Sequence, residues 1–264
     1  MLPSRVAVIL INHGHGNLAI RAVQSLYAIR DEASLKLVFI DNLKGDLVVP
    51  WLTLSGLDVT VIENERPHGF AHNVNEGLQH VGDTPYVMLM NPDIECIPGL
   101  LRELVDYMDT HEGVGATGPL LLNPDGTVQP SARAFSTLPA LLIRGLHLDG
   151  LFKNSRWMSQ YLLTHLDREN PIEVDWITGA LLLIRKKTLD VIGPLDERYY
   201  LYSEDQDLCC RIWRNGWSVC YVPSGSAIHA HKREGIRKPW SAAARHQLVS
   251  AIKMLRKFNW RLSR

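Results

Sequence analysis

The densest cluster of chemistry-bearing groups is Ser203-Glu204-Asp205-Gln206-Asp207, three carboxylates within four residues, preceded by the aromatic run Tyr199-Tyr200-Leu201-Tyr202. A helix N-terminus favours acids, because the backbone dipole is positive there, and that explains one or two of them. A carboxylate in a half-buried cleft beside aromatic rings also suits proton abstraction from a hydroxyl, with the rings stacking on a sugar. The acid of Asn91-Pro92-Asp93 has two readings, a helix cap or a hard oxygen ligand for a divalent cation that neutralises a diphosphate. Asp41-Asn42 either accepts hydrogen bonds from a base or ribose or closes an Asx-turn. His229-Ala230-His231 is followed by Lys232-Arg233. Side chains two apart on an extended segment point to opposite faces, so one histidine of the pair reaches a given metal, and the cations suit a leaving diphosphate. The same segment also reads as a polar surface loop.

These groups need elements that bring them together. Residues 6–11 are a continuous apolar run ending in Asn12-His13-Gly14, the pattern of a buried parallel strand. Residues 18–29 carry Leu18, Ala22, Leu26 and Ile29 at helical spacing. Short apolar strands follow at 37–40, 59–63 and 86–90, with helices at 71–80 and 100–108. Strands alternating with helices predict βαβ units, hence an α/β fold around a doubly wound, mostly parallel central sheet. Ligands of such sheets sit outside the carboxyl ends of the strands, and those ends carry Asn12, Asp41, Glu63 and Asp93. Asn123-Pro124-Asp125-Gly126 is a strong turn signal. Residues 127–172 are less regular, the pattern of a lid or insertion. The spacing then predicts a strand over 176–184, a short helix over 188–192 stopped by Gly193-Pro194, a helix over 205–215 closed by Gly216, and a final strand over 219–222.

The bulk numbers bound the function. The chain has 264 residues with 28 basic and 28 acidic side chains, a balance that argues against a generic nucleic-acid binder. Its length suits one large α/β domain, or two small ones sharing a sheet. Cys96, Cys209, Cys210 and Cys220 form no C-x-x-C pair, so they read as small buried hydrophobes in a reducing cytoplasm. No signal-peptide pattern precedes residue 12, and no apolar run reaches the ~20 residues that cross a bilayer. The expectation is a cytoplasmic protein, peripheral at most at the inner face of the cell membrane. From residue 232 onward basic residues far outnumber the single acid, Glu234. Leu248, Ile252, Leu255 and Trp260 complete an amphipathic pattern that either rests on an anionic membrane surface or packs on the domain with a solvated basic face.

Taken in order, these motifs resemble the family-2 glycosyltransferases with the GT-A fold, in particular their rhamnosyltransferase-like branch. The resemblance covers nearly the whole chain. It runs through the first strand with Asn12, Asp41-Asn42, Gly69-Phe70-Ala71 with Asn75 and Gly77, and Asn91-Pro92-Asp93. It continues through Gly118-Pro119, Asn123-Pro124-Asp125-Gly126 and Asp175-Trp176-Ile177-Thr178-Gly179-Ala180. It is most specific over residues 193–208, and Gly216-Trp217 and His229 complete it.

The resemblance implies one GT-A domain over 1–264. It would comprise a donor half at about 1–120, an acceptor half at about 121–240 and a basic helix at about 241–264. It implies an inverting, non-processive hexosyltransferase that uses Mg²⁺ or Mn²⁺. The expected reaction moves L-rhamnose from dTDP-L-rhamnose to a hydroxyl of a glycan or lipid-linked acceptor, in cell-surface polysaccharide synthesis. Asn12 and Asp41 would contact the nucleoside, and Asn75 would line the donor pocket. Asp93 matches the metal-binding acid of the D-x-D motif, with donor-side Asn91 in place of its first acid. His229 would complete the metal shell. Trp176 and Glu204 would shape the acceptor site, Asp205 matches the general base, and Lys232 or Arg233 would hold the diphosphate. Two departures touch the donor pocket: Leu43-Lys44-Gly45 replaces a serine-containing stretch, and Asn73 stands where glycine is common.

Three rivals fit less well. A nucleotidyltransferase would carry a Gly-rich basic loop after the first strand, and no Lys or Arg precedes Arg21 in that loop here. An inactive sugar- or nucleotide-binding module would have no need of Asp93, Asp205 and His229. A processive synthase would show Q-x-x-R-W and membrane spans.

Overall fold

The computed structural model describes residues 5–45, 48–52, 56–135, 137, 140, 143, 152, 155–230 and 242–258. In chain order the elements are β1 (Val6–Asn12), α1 (Gly16–Ala28), β2 (Leu35–Asp41), α2 (Val48–Leu52), β3 (Val59–Glu63), α3 (Phe70–Leu78), β4 (Tyr86–Met90) and β5 (Ile94–Cys96). There follow α4 (Leu100–Thr110), β6 (Val114–Leu122), β7 (Val128–Gln129), β8 (Ala132–Arg133), α5 (Arg156–Leu162), β9 (Ile172–Glu173) and β10 (Trp176–Ile177). The last are β11 (Leu181–Arg185), α6 (Lys186–Ile192), α7 (Glu204–Arg214), β12 (Ser218–His229) and α8 (Ala242–Lys257).

The main sheet runs β3-β2-β1-β4-β11-β6-β12-β5, and β8 pairs with β10 apart from it. β3, β2, β1 and β4 are mutually parallel, as the βαβ pattern predicts, and β11 enters antiparallel between β4 and β6. β1 is apolar at every position up to its terminal Asn12 because both of its faces are covered. Val6, Val8 and Leu10 pack in one core with α1, α2 and α4, while Ala7 and Ile9 pack in the other with α3, α7 and α8. All four cysteines are buried thiols within these cores.

Two expectations need correction, and one strand goes unpredicted. The predicted strand over 176–184 is two strands, β10 and β11, separated by a turn at Thr178-Gly179-Ala180. The predicted strand over 219–222 extends to His229, and a bulge between Val222 and Ser226 lets it continue along β6. β6 itself goes unpredicted, because Gly115, Gly118 and Pro119 interrupt its apolar pattern. Gly118 is there for a close approach: a Cβ on it would lie 2.4 Å from Ile177 Cγ2. Within 127–172 the described residues form β7, β8, α5 and β9.

Candidate active site

The ends of β1 and β2 meet through an amide ladder. Asn12 and Asp41 sit in register on adjacent strands, and Asn12 Nδ2 donates to Asp41 Oδ1 at 3.3 Å. Asn12 Oδ1 accepts the His15 amide at 3.0 Å, which shapes the loop into α1. Both residues are fully buried. Expected to contact a nucleoside, they pair with each other at the strand ends, and next in the chain Asn42 Nδ2 lies 2.9 Å from His13 Nδ1 and donates to His68 O at 3.0 Å. Burial, and then the nearby His15, push the His13 pKa down.

The ladder continues through Asn42 and Asn73, and through Asn64, which sequence reasoning passed over. Asn42 Oδ1 accepts from Asn64 Nδ2 at 3.0 Å and from the His68 amide at 2.8 Å. Asn64 Nδ2 also donates to Asn73 Oδ1 at 2.7 Å, and Asn73 Nδ2 donates to the carbonyls of His68 and Gly69. Asn73, the departure from the family's glycine, is therefore a buried link that fixes the 64–69 loop. Each of these amides is costly to bury without its partner, so they stand or fall as a set.

Asn75 faces elsewhere. Its Nδ2 donates to Leu195 O and Glu197 Oε1, and its Oδ1 accepts the Leu195 amide at 2.9 Å. The expected donor-pocket residue staples α3 to the loop that leads to the acidic segment.

Asp93 and His229 come together. His229 is the last residue of β12, paired with Ile94, and the Ala230 amide donates to Asp93 O at 2.9 Å. The histidine thus closes a strand and does not lie in a surface loop. Its Nε2 is 3.3 Å from Asp93 Oδ1, and the two side chains are 6% and 18% exposed. Its Nδ1 is 2.5 Å from Gln129 Oε1. Among the described residues no third His, Cys, Asp or Glu joins them. One carboxylate and one imidazole, facing each other through buried atoms, fit a divalent cation that takes its other ligands from phosphates and water.

The acidic segment divides three ways. Tyr202 and Ser203 both adopt positive φ, 67° and 73°, a conformation that costs non-glycine residues about 1–3 kcal/mol each. The kink starts α7 at Glu204, with Asp205 half-buried and its neighbours Glu204 and Asp207 buried. Asp205 Oδ2 accepts the Gly179 amide at 3.0 Å, and Oδ1 accepts the Gln206 amide at 2.8 Å. Burial, and then the adjacent Asp205 charge, push the Glu204 carboxyl up to about 8. Asp207 has no exposed surface and is held by Arg211 Nε at 2.8 Å, Lys257 Nζ at 2.7 Å and the Tyr199 hydroxyl at 3.2 Å.

The aromatic run divides between core and surface. Tyr199 is buried, and Tyr200 lies against His246 of α8 with ring centroids 4.8 Å apart. Trp176 is 6% exposed and donates its indole N–H to Ala134 O at 2.9 Å, so it supports the turn at 178–180 from the core and offers no open face to an acceptor.

α8 holds the strained loop in place. Ser250 Oγ donates to Leu201 O, Lys253 Nζ to Arg198 O, and Lys257 bridges Asp196 and Asp207. On the other side the Phe70 amide donates to Tyr200 O at 3.1 Å, an approach that glycine permits: a Cβ on Gly69 would sit 2.7 Å from that oxygen. Arg198 first, then Lys257, hold the Asp196 carboxyl well below the usual carboxylate range. Of the expected apolar stripe, Leu255 is buried and Ile252 exposed. Trp260, Lys232 and Arg233 lie outside the described residues, as does the side chain of Leu248. No described helix is long and apolar enough to cross a membrane.

Comparison with known proteins follows the same lines. Residues 4–249 match the family described as glycosyltransferase like family 2. An N-acetylglucosaminyl-diphospho-decaprenol L-rhamnosyltransferase of Mycobacterium tuberculosis is 33% identical over 197 residues, which cover 70% of this chain and 62% of that protein. Rhamnosyltransferase WbbL of Escherichia coli K12 is 26% identical over 262 residues, 95% of this chain and 92% of WbbL. Among solved structures, GalNAc-T7 with UDP, GalNAc and Mn²⁺ superposes with a TM-score of 0.70 at 17% identity, over 97% of this chain and 48% of the other. The mannosyltransferase PcManGT of Pyrobaculum calidifontis, with GDP-Man and Mn²⁺, gives a TM-score of 0.61 at 15% identity, over 100% and 77%. These two share the GT-A fold with the chain.

Proposed function

Because the chain belongs to glycosyltransferase family 2, in its rhamnosyltransferase-like branch, we propose that it moves one sugar, L-rhamnose from dTDP-L-rhamnose, onto a hydroxyl of a glycan or lipid-linked saccharide, with inversion and without processivity. The observation that carries this reading is one turn. Gly179 donates its amide to Asp205, while the next residue, Ala180, accepts the Asn91 amide at 2.9 Å through its carbonyl. A carboxylate suited to a base is thereby tied to the strand end that carries Asp93.

In this reading the acceptor hydroxyl gives its proton to Asp205 as its oxygen attacks the anomeric carbon. The bond from that carbon to the diphosphate oxygen breaks on the opposite face, and its electron pair leaves with the nucleoside diphosphate. A positioned base of this kind contributes about 10²–10⁴ in rate. Asp93 and His229 would hold Mg²⁺ or Mn²⁺, which when bound supplies charge stabilisation for the leaving diphosphate. Lys232 and Arg233 would add positive charge there. Burial, and then the Asp205 charge, push the Glu204 carboxyl up, which favours its uncharged form next to the base.

The rhamnose assignment follows the names of the mycobacterial and Escherichia coli relatives, and the lipid-linked acceptor follows that of the former. On α8, Val249 and Ile252 are exposed beside Arg256, a face that suits peripheral contact with an anionic membrane at its cytoplasmic side. Thermal shift with dTDP, UDP and GDP, each with and without Mn²⁺, followed by product analysis from dTDP-L-rhamnose, tests the reading. The expected result is selective, Mn²⁺-dependent stabilisation by dTDP. Stabilisation by UDP or GDP alone overturns the donor, and no response to any of the three overturns the function.

A further inference from the structure

We propose that Gln129 is a positioning residue that sets the tautomer of His229 and aims its Nε2 lone pair at the cation site, through a relay anchored in the turn at residues 123–127. The inference rests on the metal role assigned to Asp93 and His229 above. What it adds is the group that makes the histidine a ligand.

The relay has one consistent direction. The Thr127 hydroxyl donates to Asp125 Oδ1 at 2.6 Å, because a carboxylate only accepts. Thr127 Oγ1 is then left to accept from Asn123 Nδ2, at 2.9 Å. This fixes the Asn123 amide, whose Oδ1 accepts from Gln129 Nε2 at 3.0 Å. That contact in turn fixes the Gln129 amide with Oε1 toward the ring, 2.5 Å from His229 Nδ1. A carbonyl oxygen cannot donate, so Nδ1 carries the proton. In the neutral ring Nε2 then presents its lone pair toward Asp93 Oδ1, 3.3 Å away.

The backbone supports the same arrangement. The Thr127 amide donates to Asp125 Oδ1, and the Asn123 and Gly126 amides close the turn on Thr127 O and Asn123 O. β7 pairs with β6 at Leu121 and Gln129, and β6 pairs with β12 at Leu122 and Ile228, so the turn sits on the strand adjoining the histidine. The Asn-Pro-Asp-Gly turn therefore does more than reverse the chain. Ligating histidines commonly donate their second ring N–H to a carbonyl or carboxylate, and loss of that partner costs about 10- to 100-fold in metal affinity.

The test uses the full chain, Mn²⁺ alone as the probe, and ¹⁵N-histidine labelling. NMR of the metal-free protein should show His229, assigned by its loss in His229→Gln, as the Nδ1–H tautomer. Gln129→Leu should mix the tautomers and weaken Mn²⁺ binding, read by electron paramagnetic resonance of the free ion, about 10- to 100-fold. Gln129→Glu should restore both, since a carboxylate accepts the same N–H. An Nε2–H tautomer in the wild type, or undiminished Mn²⁺ affinity in Gln129→Leu, overturns the proposal. If Gln129→Leu fails to fold, the wild-type tautomer and the Gln129→Glu affinity still decide it. If the wild type does not bind Mn²⁺ at all, the metal reading fails separately, and the tautomer alone judges whether Gln129 sets the ring.

Discussion

The backbone amide of Gly179 donates to Asp205 Oδ2 at 3.0 Å, and this bond ties the base to the turn between β10 and β11. Asp205 stands at the start of α7, and Gly179 lies in the turn between β10 and β11, one residue before the carbonyl that binds the Asn91 amide. A shift of either strand end moves the base relative to the metal pair. Displacements of about 1 Å at such sites can cost ~10² in rate.

Asp205→Asn keeps the shape of the side chain and removes the proton acceptor. Turnover should fall by at least about a hundredfold, with nucleotide affinity unchanged. Steady-state kinetics beside calorimetry separates the two effects, and turnover near the wild-type level would take Asp205 out of the role.

Asp93→Ala removes the carboxylate of the cation pair and leaves His229, an arrangement with one protein ligand. The Mn²⁺-dependent part of nucleoside diphosphate affinity should disappear while the metal-independent part persists. Titrations with and without Mn²⁺ check this; a metal dependence equal to the wild type's would move the cation elsewhere.

Glu204 sets a pH dependence. Its folded pKa is raised by burial and by Asp205, so the fold favours the protonated acid. That contribution is complete below the ordinary glutamate range and is lost as pH rises through about 8. The melting temperature of the wild type should therefore drop more between acidic and alkaline pH than that of Glu204→Gln, whose amide does not titrate. Parallel melting curves for the two proteins across that window contradict the assignment.

Lys257→Met tests the latch from α8. Asp207 is fully buried and the lysine bridges it to Asp196. Stranding a buried charge costs about 3–5 kcal/mol, and Arg211 remains on Asp207, so a loss of about 3 kcal/mol in urea unfolding is expected. Activity should fall as well, because the same helix holds the Arg198–Tyr202 backbone. A loss below about 0.5 kcal/mol, the range of exposed pairs, would mean that solvent screens the bridge.

By itself the sequence determined the alternation of strands and helices, the placement of Asn12, Asp41 and Asp93 at or just past strand ends, and the acidic start of α7. These follow from periodicity, because continuous apolar runs mark strands buried on both faces and helical spacing marks one covered face. Local patterns do not report which distant atoms meet. Only the tertiary structure decided that His229 closes β12 against Asp93 and that Gln129, with no motif of its own, reaches that ring. It also turned Asn75 toward Leu195, buried Trp176 and Tyr199, and broke the 176–184 run at Gly179. β6 escaped notice for the same reason. Its glycines answer to the packing of Ile177 and Trp217 against the strand, a demand set across the fold and invisible along the chain.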